Sequence, residues 1–430
     1  EEKHDFASED PDAGIPPMID IDVRAQTQAI ELNSIFNRNL YSKLALTHSY
    51  IESHVQGGTV YNVNSRPELY NLRQDVTLKP TPHHDLKAGF ELSYNDYYIQ
   101  SSMPLDPSDT YTSWDSTGMP LDDYDFSKEY YFGGAYLQDS YTVIPQLTLT
   151  GGFRFDYHFW TENPDLMPRL SARYELTDKT ALRAAWGEYR MFKDPMLLQV
   201  NESMDSDKAV HYIAGLNHDF NHSLSGWVEI YYKDYSHLTT ADSTGYFTDD
   251  GGGYSQGIEF FLQRKLGALT GWVNYSLSEA KRREYLDSRE FDFDYDQTHI
   301  ANLVLEYKSA RDQKWAPDVI GTSFRYYTGR PYTPTVGAEP DGFGNFIPVK
   351  GETNSVRYGD FHALSLRMEW QFPVFRTAKG KFYLEAWNLY DRKNETGVNY
   401  VYGDEYPSNV EERPYYSTPF ILGGGLGIDF

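Results

Sequence analysis

No cysteine occurs among the 430 residues. That excludes a disulfide framework, a thiolate nucleophile and any metal site built on cysteine. No stretch approaches the roughly eighteen consecutive apolar residues of a membrane-spanning helix, so that class is excluded too. Spanning β-strands are not excluded, because alternation dilutes their hydropathy. Positive charge is scarce: 38 Lys and Arg stand against 63 Asp and Glu, a net charge of −25. A nucleic-acid partner needs a basic surface and is therefore not expected. Helical periodicity is almost missing. The opening residues, EEKHDFASEDPDAGIPPM, hold no secretory leader, so the chain is expected to be mature, trimmed or a fragment.

Aromatic residues are abundant: 37 Tyr, 24 Phe and 8 Trp, together 16% of the chain. Tyrosine has an apolar body and a polar tip, which suits a surface oily in one layer and wet in the next. About seventeen segments alternate, most of them roughly nine to fifteen residues long. In HALSLRMEWQF, Leu364, Leu366, Met368, Trp370 and Phe372 share one face, and Ser365, Arg367, Glu369 and Gln371 the other. DLKAGFELSY, LTLTGGFRFDY and LTGWVNYSLS divide the same way. The alternation predicts membrane-crossing strands with Leu364, Leu366, Met368 and Trp370 toward lipid and Arg367 and Glu369 toward a lumen.

The connections also alternate. FNRN, PTPHHD, IPQ, TDKT, FNHS and RKLG read as short turns. Between them lie long polar and aromatic loops: SSMPLDPSDTYTSWDSTGMPLDDYDFS, TTADSTGYFTDDGGG, TGRPYTPTVGAEPDGFGNFIPVKGETNSV and NETGVNYVYGDEYPSNVEERP. Short connections on one side and long ones on the other are the layout of an outer-membrane barrel. The chain ends TPFILGGGLGIDF, an alternating strand closed by Phe430.

Five stretches carry a family resemblance: PRLSARYELTDKTALRAAWGEYRM, GYSQGIEFFLQRKLGALTGWVNYSLSEAKR, FDYDQTHIANLVLEYK, YYTGRPYTP and FYLEAWNLYDRKNET. In this order, and ending on Phe430, they resemble the C-terminal barrel of TonB-dependent outer-membrane receptors. The resemblance implies an all-β fold, a transmembrane antiparallel barrel of twenty-two strands filled by an N-terminal plug. About seventeen of those strands would lie in this chain, with residues 1–21 ending an extracellular loop and 22–430 forming the C-terminal part of the barrel. The plug and first strands would come from the same gene or a separate chain, and residues 22–36 and the C-terminal strand would each pair outside the chain.

The family further implies energised uptake of a scarce nutrient (an iron chelate, a vitamin, a glycan or a peptide) across the bacterial outer membrane, without covalent chemistry or a cofactor. Its partners would be the TonB–ExbB–ExbD complex, the barrel assembly machinery reading Phe430, lipopolysaccharide and outer-membrane lipid, and a surface lipoprotein. The alternative is a passive porin-like channel. An outer-membrane enzyme would need a catalytic triad, and none is found.

Three groups of residues remain as candidates. Tyr111, Trp114, Tyr124, Tyr332, Phe343, Phe346, Tyr400 and Tyr402 fall in the long loops and could line a ligand mouth, or belong to an ordinary aromatic girdle. In REFDFDYDQTH, Glu290, Asp292, Asp294 and Asp296 recur at period two and would share one face of an extended chain. They read either as a solvated strand end beside Arg282 and Arg283, or as a site for Ca²⁺ or another divalent ion bridging to lipopolysaccharide phosphates. GYSQG at 253–257 matches the G-x-S-x-G nucleophile elbow, but that motif needs a helix after the serine, and IEFFLQRKLG reads as a strand.

Overall fold

The computed structural model describes residues 2–3, 19–57, 61–104, 121–241, 246–285, 288–309, 315–340, 346–374, 378–402 and 410–429. The main sheet has 20 strands, of which Glu2–Lys3, Tyr61–Ser65 and Phe291–Asp292 are short appendages. The other seventeen run in chain order: β1 (Ile19–Asn37), β2 (Leu40–Gly57), β3 (Glu68–Leu78), β4 (His84–Pro104), β5 (Leu121–Ile144) and β6 (Leu147–His158). Then come β7 (Asn163–Thr177), β8 (Thr180–Met191), β9 (Asp207–Asn221), β10 (Leu224–Ala241), β11 (Phe247–Arg264) and β12 (Leu269–Arg283). The last are β13 (His299–Lys308), β14 (Val319–Tyr327), β15 (Phe361–Pro373), β16 (Lys379–Trp387) and β17 (Ile421–Asp429). Each pairs antiparallel with the next from β1 to β17. Among the described residues β1 and β17 are not paired with each other.

The alternating pattern explains both faces. Ile30, Leu32, Phe90, Leu92, Phe153, Phe155, Leu166, Leu170, Leu422 and Leu426 are exposed rather than buried, the reverse of a soluble core. Facing the other way are ion pairs, some within one strand and some reaching to the next strand or the one beyond it. Arg154 meets Asp156 at 2.7 Å and Glu91 at 3.4 Å, and Arg183 meets Glu229 at 3.0 Å. Glu188 is held by Arg190 at 3.1 Å and Lys208 at 3.0 Å. In β15 the predicted split is observed: Arg367 pairs with Glu369 and Glu385, while Trp370 stacks on Phe382 of β16 with 5.7 Å between centroids.

All six turns named from the sequence join strands: β1–β2, β3–β4, β5–β6, β7–β8, β9–β10 and β11–β12. Because strands alternate in direction, these turns share one end of the sheet. The opposite end carries most of the longer connections; its short ones are β6–β7, where residues 159–162 turn with Glu162 at φ 55°, and β10–β11, between Ala241 and Phe247, while the turn end holds one longer connection, between Lys308 and Val319.

Two expectations need correction. Strands are longer than nine to fifteen residues at the loop end: β4 has 21 and β5 has 24. A tilted membrane strand needs only about ten, so the hairpin projects well beyond the membrane. Residues 101–104 and 121–127 of SSMPLDPSDTYTSWDSTGMPLDDYDFS, and 239–241 and 247–253 of TTADSTGYFTDDGGG, are therefore strand. The second correction is a helix at Pro195–Val200, between β8 and β9, capped by Asp194. Asp followed by Pro is a start signal that a six-residue helix gives without any visible periodicity.

Gly271 in β12 shows one local constraint. Its φ is 149°, and a Cβ there would collide with the Val304 carbonyl of β13. Only glycine lets the two backbones approach so closely.

Candidate mouth at the loop end of the sheet

At the loop end the chain builds three structures on top of the strands. The first is a clamp. Phe291–Asp292 pairs with Lys281 and Arg282 at the tip of β12, and the chain then turns. The strand is too short to hold Glu290, Asp292, Asp294 and Asp296 on one face. Asp292 instead receives Lys281 and, at 2.6 Å, Arg357. Asp296 is buried, accepting from Arg357 at 2.5 Å and from the Ala280 N–H at 2.6 Å. Asp294 accepts from Asn354 at 2.6 Å, and Glu290 lies 3.9 Å from Arg283. Three of the four carboxylates thus already hold cationic or amide donors of the chain itself. Arg282 donates to the Lys281 carbonyl at 2.9 Å and packs on the rings of Tyr235 and Phe293, at 4.6 and 4.0 Å, where it still feels the Asp294 charge. Burial pushes the Asp292 carboxyl upward, but the hydrogen bonds from Lys281 and Arg357 outweigh it and leave the group below its ordinary value.

The second structure is an aromatic loop cluster between β14 and β17. It contains the hairpins Thr335–Pro340 with Phe346–Lys350, and Glu395–Tyr402 with Val410–Tyr416. Tyr332 stacks on Tyr358 at 4.4 Å and donates its hydroxyl hydrogen to Glu412. Burial and that carboxylate raise its pKa. The Tyr400 hydroxyl accepts from the Thr335 N–H at 3.1 Å, with Lys350 at 5.9 Å from its ring. The structure therefore brings Tyr332 and Tyr400 into one cluster. Tyr124, Phe346 and Tyr402 lie in strands whose backbone alone is described, opposite Ser101, Pro340 and Val410. Tyr111, Trp114, Phe343 and Phe430 fall outside the described residues.

The third structure has only the Asp194–Pro195 pair to mark it in the sequence. The segment 192–206 folds back onto the strands, and Leu198 and Met204 are among the most buried side chains described. Lys193 is buried; its ammonium donates to Asp207 at 2.5 Å, to the His237 carbonyl at 2.5 Å and to Thr239 at 3.1 Å. Phe192 stacks on His158 at 3.2 Å, beside Tyr130 and Trp160. Lys128 lies over the Trp160 ring at 4.3 Å. Cation and ring faces together give a surface able to hold planar or polarisable groups. Gly253–Gly257 lies inside β11, paired to β10 and β12, with no helix after Ser255, so the nucleophile-elbow geometry is missing.

A large antiparallel sheet with an exposed oily face, an ionic opposite face and its long connections gathered at one end is the wall of an outer-membrane-type β-barrel. More narrowly, the chain belongs to the TonB-dependent receptors: the family model described as "TonB dependent receptor-like, beta-barrel" matches residues 17–390. No curated protein sequence matches the chain significantly.

Solved structures resemble it at low identity. The pyoverdine outer-membrane receptor FpvA of Pseudomonas aeruginosa superposes with a TM-score of 0.70 at 14% identity, over 96% of this chain and 62% of that one. The ferric citrate transporter FecA gives 0.68 at 14% identity, over 95% and 62%. The ferric-catecholate import receptor Fiu of Escherichia coli K12 gives 0.66 at 12% identity, over 97% and 65%. The chain thus spans less than two thirds of the length of these structures, and at such identities the likeness concerns the fold.

Proposed function

We propose that this chain is the barrel wall of an outer-membrane receptor that takes up a scarce nutrient with energy delivered through TonB. The observation that carries the reading is the sheet itself. Seventeen long strands run in sequence, and β1 is not paired with β17 among the described residues. A porin-like channel needs its edges closed on each other, because lipid does not tolerate unpaired backbone. The family's plug and further strands resolve both edges, and the TonB–ExbB–ExbD complex would then act on the plug. Of the four nutrient classes, a ferric chelate is favoured, since pyoverdine, ferric citrate and ferric catecholates are named for the similar structures. The aromatic clusters around Tyr332 and Trp160 supply the faces that would meet a chelate's planar groups.

The test is uptake by Gram-negative cells carrying the full gene. Under iron limitation, radio-iron entry as a ferric chelate should be saturable and should stop when TonB is deleted. Entry that is linear in concentration and indifferent to TonB would establish the passive channel instead.

A further inference from the structure

Asp205 closes the 192–206 segment just before β9, and it lies against the loop end of the β10–β11 hairpin. His237 is in β10, where the pairing to β11 skips from Tyr235 to Leu238, and its backbone takes φ 58°. Asp249 is near the start of β11. The His237 Nδ1 is 3.4 Å from the Asp249 Oδ2 and 3.8 Å from the Asp205 Oδ2. One ligand atom from each of the three lies within 4.8 Å of the others, and no other three such side chains converge this way among the described residues.

We propose that Asp205, His237 and Asp249 form a binding site for a first-row divalent metal ion of the Zn²⁺ type. Its role is to tie the 192–206 segment to the β10–β11 hairpin. Four features support this. Ligands about 2.0–2.1 Å from a tetrahedral ion sit roughly 3.3–3.4 Å from one another, close to the spacing already present. One imidazole with two carboxylates suits Zn²⁺ or its neighbours, whereas Ca²⁺ and Mg²⁺ ask for six or more oxygens.

Among the described residues no Lys or Arg pairs with Asp205 or Asp249: Lys193 is engaged by Asp207, and Arg190 by Asp165 and Glu188. Finally, both are oriented by neighbours. Asn163 donates to the Asp205 Oδ1 at 3.2 Å, and the Asp205 N–H donates to the Asp249 Oδ2 at 2.9 Å, the outer support that metal ligands usually have. All three side chains keep some solvent exposure, so an ion can enter from outside. Three protein ligands leave a fourth position for water.

The experiment uses the full receptor, purified in detergent, stripped with chelator and titrated calorimetrically with zinc chloride. Cobalt chloride in parallel reports tetrahedral geometry through its visible absorption. His237→Asn removes the imidazole while keeping a residue that tolerates the left-handed backbone. His222→Asn, in the short turn at the opposite end, is the control. Heat-modifiable migration shows that each variant is a folded barrel.

The expected result is one saturable equivalent in the wild type and in His222→Asn, weakened on the order of 100-fold or more in His237→Asn. Zinc should also slow proteolysis within residues 195–205 in the wild type and in His222→Asn, but not in His237→Asn. A folded wild type without saturable zinc binding overturns the proposal. So does equal affinity in His237→Asn, which would leave the three residues as a histidine–carboxylate contact only.

Discussion

Two leucines define two solvents in this chain. Leu426 in β17 is 79% exposed, whereas Leu198 in the segment over the loop end is 0% exposed. In the wall, apolar side chains need no protein partner, since hydrocarbon already surrounds them, and order comes from the strand ladder and the ionic face. The 192–206 segment sits in water and must bury its own core, so it uses the devices of a soluble domain: a capped helix, buried Leu198 and Met204, and a buried Lys193 countered by Asp207. Burial is therefore informative in the segment and uninformative in the wall.

The sharpest way to break this contrast is at Lys193. Replacing it with Met strands the Asp207 carboxylate, and removing one partner of a buried pair costs about 3–5 kcal/mol. Lys193→Met should free residues 192–206, seen as fast hydrogen exchange and cleavage there, while the barrel keeps its heat-modifiable migration. An undisturbed segment would show that Lys193 is not its anchor.

Leu198→Ala and Leu426→Ala make a matched pair. The first should cost about 3 kcal/mol, read as lost protection in 195–205, because it opens a cavity among buried atoms. The second changes only a lipid-facing surface and should leave both assembly and segment protection nearly unaltered. Comparable losses in the two variants would mean that Leu426 packs against protein.

Within the wall, Met368→Arg tests which face meets hydrocarbon. An arginine on the lipid face near the bilayer midplane costs about 2–4 kcal/mol. Denaturant unfolding in lipid vesicles should show that loss, whereas Ser365→Arg, on the face shared with Arg367 and Glu385, should show much less. The reverse ranking would invert the strand register.

Legibility in the sequence follows the same division. A period of two survives any solvent, so β15, with Leu366 and Met368 opposed to Arg367 and Glu369, could be read residue by residue, as could the six short turns. Strand length at the loop end was under-read, because SYNDYYIQSSMP at the end of β4 loses the oily face that marks a membrane strand yet continues to pair. The clamp was half legible. The acidic run announced itself, but Arg357 and Asn354 lie some sixty residues away in sequence from the carboxylates they hold. The segment over 192–206 gave the faintest signal, a lone Asp194–Pro195 pair, because its contacts to His237, Asp249 and His158 are all distant in the chain.

The smallest expected effect concerns pH at the clamp. The folded Asp292 carboxyl lies below its ordinary value, with Lys281 and Arg357 outweighing burial. A group depressed on folding stabilises above its unfolded pKa, about 3.9 for aspartate, and that stabilisation is lost as pH falls through the lower folded value. Docking of residues 346–357 should therefore be constant from neutral pH to about pH 4 and weaken below it. Hydrogen exchange of that loop, measured at descending pH on the intact barrel, should show protection falling only in the acid range. Asp292→Asn should lower protection at neutral pH and flatten the acid limb, since an amide has no proton to gain. An unchanged pH profile in that variant would assign the acid sensitivity to another carboxylate and remove Asp292 from the clamp.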